Sequence, residues 1–410
     1  MKNYLLYAMP ALPLALLGLP LYIYLPTFYA QDVGLSIFGV GLVLLFARVF
    51  DMFLDPLIGY WSDAYFSRKV FMFLGMLFLL IGFYFLTHPV QDASLLWLFS
   101  FSMLVYFGWS LIAVPYYAIG ADAAQSYEQN TTYASYRELF NVLGVLCALL
   151  IPYIFGVADN PTEALLLLSE TIFYSLPIVL ALFFLGFDAQ RIQNHFRSLR
   201  SSLLLFYSEL KTSKYLFGAF LLNNLANALP ATLFLLYVEL VIGAKEQAGV
   251  LLLAYFVSGI VALYFWNILA SKTSKKFAWS LSMLNATVFF SFVPFLGEGD
   301  FNLFLLITIA TGLSLGADMA LPASMQADIV QNTQSAPREM GGTLFGFFAM
   351  LVKLSLALGV GISFTTLGAF GFDATSPNES SFLPLVLLYS LLPVILKLFA
   401  IYLLSAYKES

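Results

Sequence analysis

"ARVFDMFLDPLIGYWSD", residues 47–63, sets Arg48, Asp51, Asp55 and Asp63 in one of the most apolar parts of the chain. The run before it, "SIFGVGLVLLF" (36–46), carries no charge at all. A soluble domain has about 25% charged residues. This chain of 410 has 10%, with 61% hydrophobic residues and a mean hydropathy of +0.89. Such a composition is that of a polytopic membrane protein, so these acids sit in a helix that crosses lipid. Asp51 falls a little past the middle of that helix, and Asp55 follows one turn on. Spacing i, i+4 puts both carboxylates on one face. An acid at the centre of a membrane helix costs about 2.5–3.5 kcal/mol on insertion scales, and two acids a turn apart also repel. Three arrangements relieve them: a proton on one, a basic neighbour, or a cation between their oxygens. Arg48, three residues before Asp51, can pair with it and simply lock the helix, which accounts for one acid of the two. Pro56 has no N–H and so frees the carbonyl of Met52, an oxygen available to a cation or to a neighbouring helix.

Cutting the rest of the chain at polar breaks predicts an all-α protein with twelve transmembrane helices. They lie near 4–28, 37–61, 70–87, 94–120, 133–157, 165–187, 214–239, 247–270, 277–297, 301–325, 340–369 and 382–405. The start is too long and too apolar for a signal-peptide core and reads as the first span. Lys and Arg confirm the count by alternation. One set of loops holds Lys2, Arg68, Lys69, Arg191, Arg197, Arg200, Lys211, Lys214, Lys272, Lys275, Lys276, Arg338 and Lys408, while the other holds Lys245 and otherwise acids or neutrals. The positive-inside rule makes the first set and both termini cytoplasmic. The longest break, 188–213, is basic and splits the spans into six and six, which predicts two pseudo-symmetric bundles, 1–187 and 214–410, joined by a cytoplasmic linker. "SDAYFSRK" (62–69) after the second span and "ASKTSKK" (270–276) after the eighth are a faint internal repeat.

The 42 Phe and 24 Tyr are mostly lipid-facing bulk and interfacial belts. A single cysteine, Cys147, and two distant histidines, His88 and His195, exclude a disulfide within the chain and any Cys/His metal spacing. No nucleophile–base set, phosphate loop or sizeable soluble domain is present, so an enzyme is not expected, nor is a cofactor or a nucleic-acid partner. The expected partners are the bilayer and a small-molecule substrate.

Lys353 is the other expensive charge, deep in the eleventh span, and an intramembrane base needs an acid. Asp51, Asp55 and Asp318 in the tenth span are its candidates. Lys397 lies about two turns from the inner end of the twelfth span and is expected to snorkel, with no role. Arg137 beside Glu138 opens the fifth span, where a local bridge is the plain reading. In the fourth span, "YFGWSLIAVPYYAIGADAAQ" (106–125) sets Trp109, Tyr116, Tyr117 and Pro115 around Ser110. These aromatics suit the wall of a substrate cavity, and ordinary packing is the alternative.

The residues quoted above resemble the glycoside–pentoside–hexuronide:cation symporters, the melibiose-carrier branch of the major facilitator superfamily. The D-x-x-x-D-P-x-x-G element of the second span is the most specific part. "VPYYAIGADAAQSYEQNTTYASYRELFNVLG", "GADMALPASMQADIV" and "LVKLSLALGVG" follow in the same order along nearly the whole chain. The resemblance implies the major facilitator fold and alternating access in a monomer. It implies that Asp51 and Asp55 bind the coupling cation, that Ser110 assists, and that Lys353 stands near that site. It places Tyr22, Tyr117 and Arg137 in or beside the substrate pocket. "GYWSDAYFSRK" (59–69) is similar to the cytoplasmic latch of major facilitators, with Asp63 and Arg68 as acid and base. One departure matters. The two aspartates with which melibiose carriers hold sugar hydroxyls correspond to Ala15 and Ala113. The cation half of the machine is kept and the sugar clamp is missing, with Asp318 a candidate replacement polar group in the substrate cavity and a loop-end charge the alternative.

The expectation is therefore a cation-coupled symporter of the inner membrane, driven by Na+ or H+, for a small organic solute such as a sugar or glycoside. The alternatives are an amphiphilic, lysolipid-like substrate on the same fold, and a membrane sensor that no longer transports.

Overall fold

Proline sets the first span apart from the others. Four prolines fall within its first 26 residues, each removing a backbone donor. The helix is accordingly segmented into α1 (Lys2–Ala8), α2 (Ala11–Leu16), a π-helical turn (Pro20–Tyr24) and α3 (Leu25–Gln31). The structure is a computed structural model that describes residues 2–18, 20–65, 67–157, 160–187, 207–332, 341–370 and 379–408. After α3 come α4 (Ile37–Ala64), α5 (Arg68–Thr87), α6 (Leu95–Ala123), α7 (Tyr127–Ile154) and α8 (Pro161–Gly186). The second half has α9 (Lys214–Leu240), α10 (Ala248–Lys272), α11 (Lys275–Phe290), α12 (Phe301–Asn332), α13 (Gly341–Ala369), α14 (Glu379–Val386) and α15 (Leu392–Ala406), the last two joined by a π-helical turn at Leu387–Leu391.

Among the described residues there are ten helical stretches long and apolar enough to cross a membrane. The segmented first span and α4, which has 28 residues but carries three acids and an arginine, complete the twelve. No strand occurs among the described residues. Most of the expected linker, 188–206, lies outside the described residues, as does Arg338.

The chain forms two compact units. Unit 1 is Met1–Phe206 with Gln326–Met350, and unit 2 is Tyr207–Met325 with Leu351–Ser410. The division therefore runs through α12 and α13, whose facing ends belong with unit 1. Unit 1 is built around buried Tyr7, Leu17, Leu79, Phe83, Tyr116 and Phe183. Unit 2 has a second core in which Tyr237 and Tyr389 stack at 4.0 Å, while the Tyr237 hydroxyl donates to the Val293 carbonyl at 2.9 Å.

The faint repeat in the sequence has a physical counterpart in each unit. Lys69, at the start of α5, donates to the carbonyls of Phe184 and Phe187 at the end of α8, at 3.1 and 2.9 Å. Lys276, at the start of α11, donates to the carbonyls of Ser405 and Tyr407 at the end of α15, at 2.7 and 2.6 Å. A helix C-terminus leaves carbonyls unsatisfied and carries partial negative charge, so an ammonium answers both needs. Lys69→Met and Lys276→Met each remove a charged cap worth about 1–2 kcal/mol. Each is expected to lower the melting temperature of the detergent-purified protein by roughly 2–4 °C, while Lys245→Met on the exposed surface leaves it unchanged.

Candidate functional site: buried charges in the two units

Helix α4 has two sharply different stripes. Phe46, Phe50, Phe53 and Leu57 are 43–58% exposed and form its outer face. Asp51, Asp55, Ile58 and Ser62, at the complementary 4-3-4 spacing, are buried, Asp55 completely. The acids thus point into protein and away from lipid, as the 3.6-residue period dictates once the phenylalanines take the outer side. Ser36 starts the helix by accepting the Gly39 amide on its hydroxyl. Helix α6 packs along the inner stripe, and Ser110 donates its hydroxyl to Asp51 Oδ1 at 2.9 Å. The structure therefore brings Asp51, Asp55 and Ser110 onto one buried stripe of unit 1, with Arg48 half-buried three residues earlier. Two carboxylates and a hydroxyl form a hard, all-oxygen donor set suited to a small cation. No group of three or more His, Cys, Asp or Glu side chains gathers among the described residues.

One turn further on, the first turns of α13 lie against the same stripe with helix backbones in direct contact. A Cβ on Gly346 would collide with the Asp55 carbonyl, and one on Gly59 with the Gly342 carbonyl. Glycine is required there for close approach. The start of α13 is then fixed by Asp63. Its Oδ1 accepts the Gly342 amide at 2.8 Å, and its Oδ2 accepts the Thr343 amide and hydroxyl at 2.7 and 2.9 Å. Arg68 binds Asp63 at 3.0 Å and also pairs with Asp122 at the end of α6. An acid at a helix N-terminus satisfies orphan amides and faces the positive end of the dipole. A second tie lies nearby, where Asn130 of α7 donates to Asp328 of α12 at 2.8 Å. Asp122 and Asp328 stand in matching "GADAAQ" (120–125) and "QADIVQ" (326–331) segments.

The expected cavity residues of unit 1 are spread over several roles. Arg137 is buried, bonded to Glu138 at 2.6 and 2.9 Å and set over the Tyr117 ring at 4.3 Å, so the local bridge is present. Tyr116 is fully buried and donates to the Tyr7 carbonyl at 2.6 Å, which makes it a packing residue between α6 and α1. Trp109 and Tyr117 are half-buried against the core. Tyr22 falls in the π-helical turn, and its side chain lies outside the described residues.

Unit 2 corrects the reading of Lys397. It does not snorkel. It is buried and donates to Asn223 Oδ1 of α9 at 2.7 Å and to Asp318 Oδ2 of α12 at 3.2 Å. Asp318 also accepts Asn227 Nδ2 at 3.0 Å and Trp279 Nε1 of α11 at 2.9 Å. Distance to the helix end favoured snorkelling, but the side chain faces two oxygens of its own bundle, which satisfy an ammonium without the stretch to the interface. The missed signal was "NNLAN" (223–227), with Asn223 and Asn227 on one face of an apolar span. Lys353 is half-buried on the unit 2 part of α13.

The ties of Asp63 carry a direct test. Asp63→Ala removes one of the two acids that Arg68 binds, leaves two backbone amides unanswered and costs about 3 kcal/mol, whereas Thr343→Val costs about 1 kcal/mol. Hydrogen–deuterium exchange over peptides covering 341–350 is expected to accelerate strongly in the first variant and slightly in the second.

Comparison with known proteins agrees with this architecture. The family model described as "MFS/sugar transport protein" matches residues 6–408. The human sodium-dependent lysophosphatidylcholine symporter 1 is 25% identical over 90% of this chain and 76% of its own length. An uncharacterised symporter of Synechocystis is 22% identical over 87% of this chain and 83% of its own. Among solved structures, the fucose:proton symporter of E. coli superposes with a TM-score of 0.74 over the full length of both chains at 12% identity. A bacterial homologue of the iron transporter ferroportin gives 0.73 over 99% of both at 13% identity. At these identities the structural likeness speaks for the fold.

Proposed function

The chain belongs to the MFS/sugar transport protein family of membrane transporters, and we propose that it is a Na+-coupled symporter of the inner membrane that carries a single-chain, lysolipid-like amphiphile by alternating access. The observation that carries this reading is the buried stripe of α4, with Asp51 held by Ser110 and Asp55 one turn away. A bound Na+ neutralises part of that charge, one of the three arrangements open to two acids a turn apart. Sodium is favoured over the proton because the relatives named for sodium dependence cover most of this chain. The basic loops face the cytoplasm, so the Asp63–Arg68 latch lies on that side and holds the start of α13 during the part of the cycle in which that side is closed.

The substrate assignment rests on what the sugar clamp lacks. Ala113 is buried, and Ala15 packs so tightly on Gly144 of α7 that a Cβ there would sit 2.8 Å from the alanine methyl. Neither position offers a sugar hydroxyl a partner, and hydroxyls facing apolar walls are penalised. The likeness to melibiose carriers is thus confined to cation handling. An alkyl chain suits the same walls, and relatives named for lysophosphatidylcholine extend over most of the sequence. Symport requires each ligand to tighten the binding of the other, which gives Asp51 and Asp55 their part in substrate affinity as well as in drive. The protein works as a monomer, with Arg48 and Lys353 as charge partners of the cycle.

Uptake into proteoliposomes tests the whole reading. Lysophosphatidylcholine and a panel of glycosides are offered under Na+, choline and pH gradients. Na+-driven lysolipid flux is expected, with Asp51→Asn and Asp55→Asn each losing more than about tenfold, or 1.4 kcal/mol of coupling. Flux of a simple glycoside alone would overturn the substrate class. A proton gradient that drives uptake without Na+ would overturn the ion, and wild-type drive in Asp55→Asn the site. Ligand binding without any flux would make the protein a sensor.

A further inference from the structure

The Asp318–Lys397 cluster is a buried charge pair linking distant helices that the proposed cycle does not use. All of its members belong to unit 2: Asn223 and Asn227 on α9, Trp279 on α11, Asp318 on α12 and Lys397 on α15. The side chains of the pair are 7% and 9% exposed. Its make-up is unusual for a brace. A buried ion pair is often no more stabilising than well-packed apolar residues of the same volume, and Asn, Gln or Ser would tie the same helices without bringing charge into the membrane. The ammonium is held by oxygens alone, Asn223 Oδ1 at 2.7 Å and Asp318 Oδ2 at 3.2 Å. Pro230 and Pro322 lack N–H groups, so the carbonyls of Ala226 and Asp318 lose their i+4 donors. Ala226 lies one turn from Asn223 on the same side of α9, as spacing i, i+3 requires. One carboxylate oxygen and one amide oxygen are hard donors of the kind a monovalent cation takes. Trp279 and Asn227 hold the carboxylate in place from behind, through both of its oxygens.

We propose that Lys397 is a tethered cation whose ammonium permanently fills a monovalent-cation site formed by Asp318 and Asn223 in unit 2. The protein then takes up its mobile cation in unit 1 alone, and unit 2 stays charge-neutral through the cycle without ion exchange.

The experiment is a thermal melt of the full-length protein in detergent, with NaCl replaced stepwise by N-methyl-D-glucamine chloride at constant ionic strength. It rests on the Asp51/Asp55 reading only for its background, Asp51→Asn/Asp55→Asn, which is expected to lose the Na+ response of the wild type. Adding Lys397→Ala is expected to create a new saturable rise in melting temperature with Na+, and adding Asp318→Asn to abolish it. A background that keeps the full Na+ response refutes the Asp51/Asp55 site. The Lys397→Ala response is then read as an increment above it, so the two failures are distinguishable. A Lys397→Ala variant that stays folded only in Na+ supports the proposal equally. It is overturned if Lys397→Ala gives no Na+-dependent gain, or unfolds alike in both salts. It is also overturned if the gain survives Asp318→Asn, or if methylammonium stabilises the variant and Na+ does not, since that marks a hydrogen-bonded brace.

Discussion

A carboxylate inside a bilayer has to be answered by the protein, because no bulk water reaches it. Helix α4 carries two such acids, Asp51 and Asp55, with Asp63 at its end, and its neighbours are arranged around all three. The phenylalanine stripe fixes which face meets lipid, and the helical period then commits Asp51, Asp55, Ile58 and Ser62 to the opposite face. Whatever packs on that face must bring a donor, a cation or a backbone close enough to exclude water. Helix α6 brings Ser110 to Asp51. The start of α13 brings glycines to the Asp55–Gly59 segment and two amides to Asp63.

That arrangement links the depth of the membrane to its surface through one stiff element. Asp55 and Asp63 are eight residues apart on a continuous helix, about 12 Å along its axis. The first turns of α13 touch α4 at both levels: Gly346 lies on the Asp55 carbonyl, and Gly342 and Thr343 are held by Asp63. Interfaces of backbone on backbone tolerate little continuous adjustment, so the tip of α13 is either seated or released. A change in charge at Asp55 and a change at the latch therefore act on one contact surface, a geometric route for an ion to influence a closure without touching it.

Much of this was legible in the sequence because it follows from periodicity and from the alternation of Lys and Arg. The all-helical fold and the shared face of Asp51 and Asp55 rest on the period of the helix. The common role of Lys69 and Lys276 was visible only as a loop resemblance, since the carbonyls they cap lie more than a hundred residues away. The Asp63 interaction was readable as an acid–base pair, but its main partners are backbone amides of a distant helix, which no side-chain pattern advertises. Lys397 was misread because helix position alone gave its depth and said nothing of what it faces. Tyr116 was placed on a cavity wall by its neighbours in sequence, whereas its hydroxyl closes a contact between α6 and α1.

The two units share a frame and differ in how they treat charge. Each uses a lysine at an equivalent place to cap the last carbonyls of a helix of its own, α8 in unit 1 and α15 in unit 2. Their interiors diverge. Unit 1 gathers two carboxylates on one buried stripe of α4 and sets the Ser110 hydroxyl of α6 against the first of them. Unit 2 sets a single carboxylate against an ammonium on a different helix and secures both with amide and indole donors. On the proposed reading, only the first arrangement changes its net charge on taking up a cation, so only the first converts an ion gradient into a preference for one conformation. A duplicated scaffold needs one such responsive half. The other half serves best when its charge is settled by covalent attachment, because a second exchangeable ion would add a stoichiometric demand without adding a second substrate.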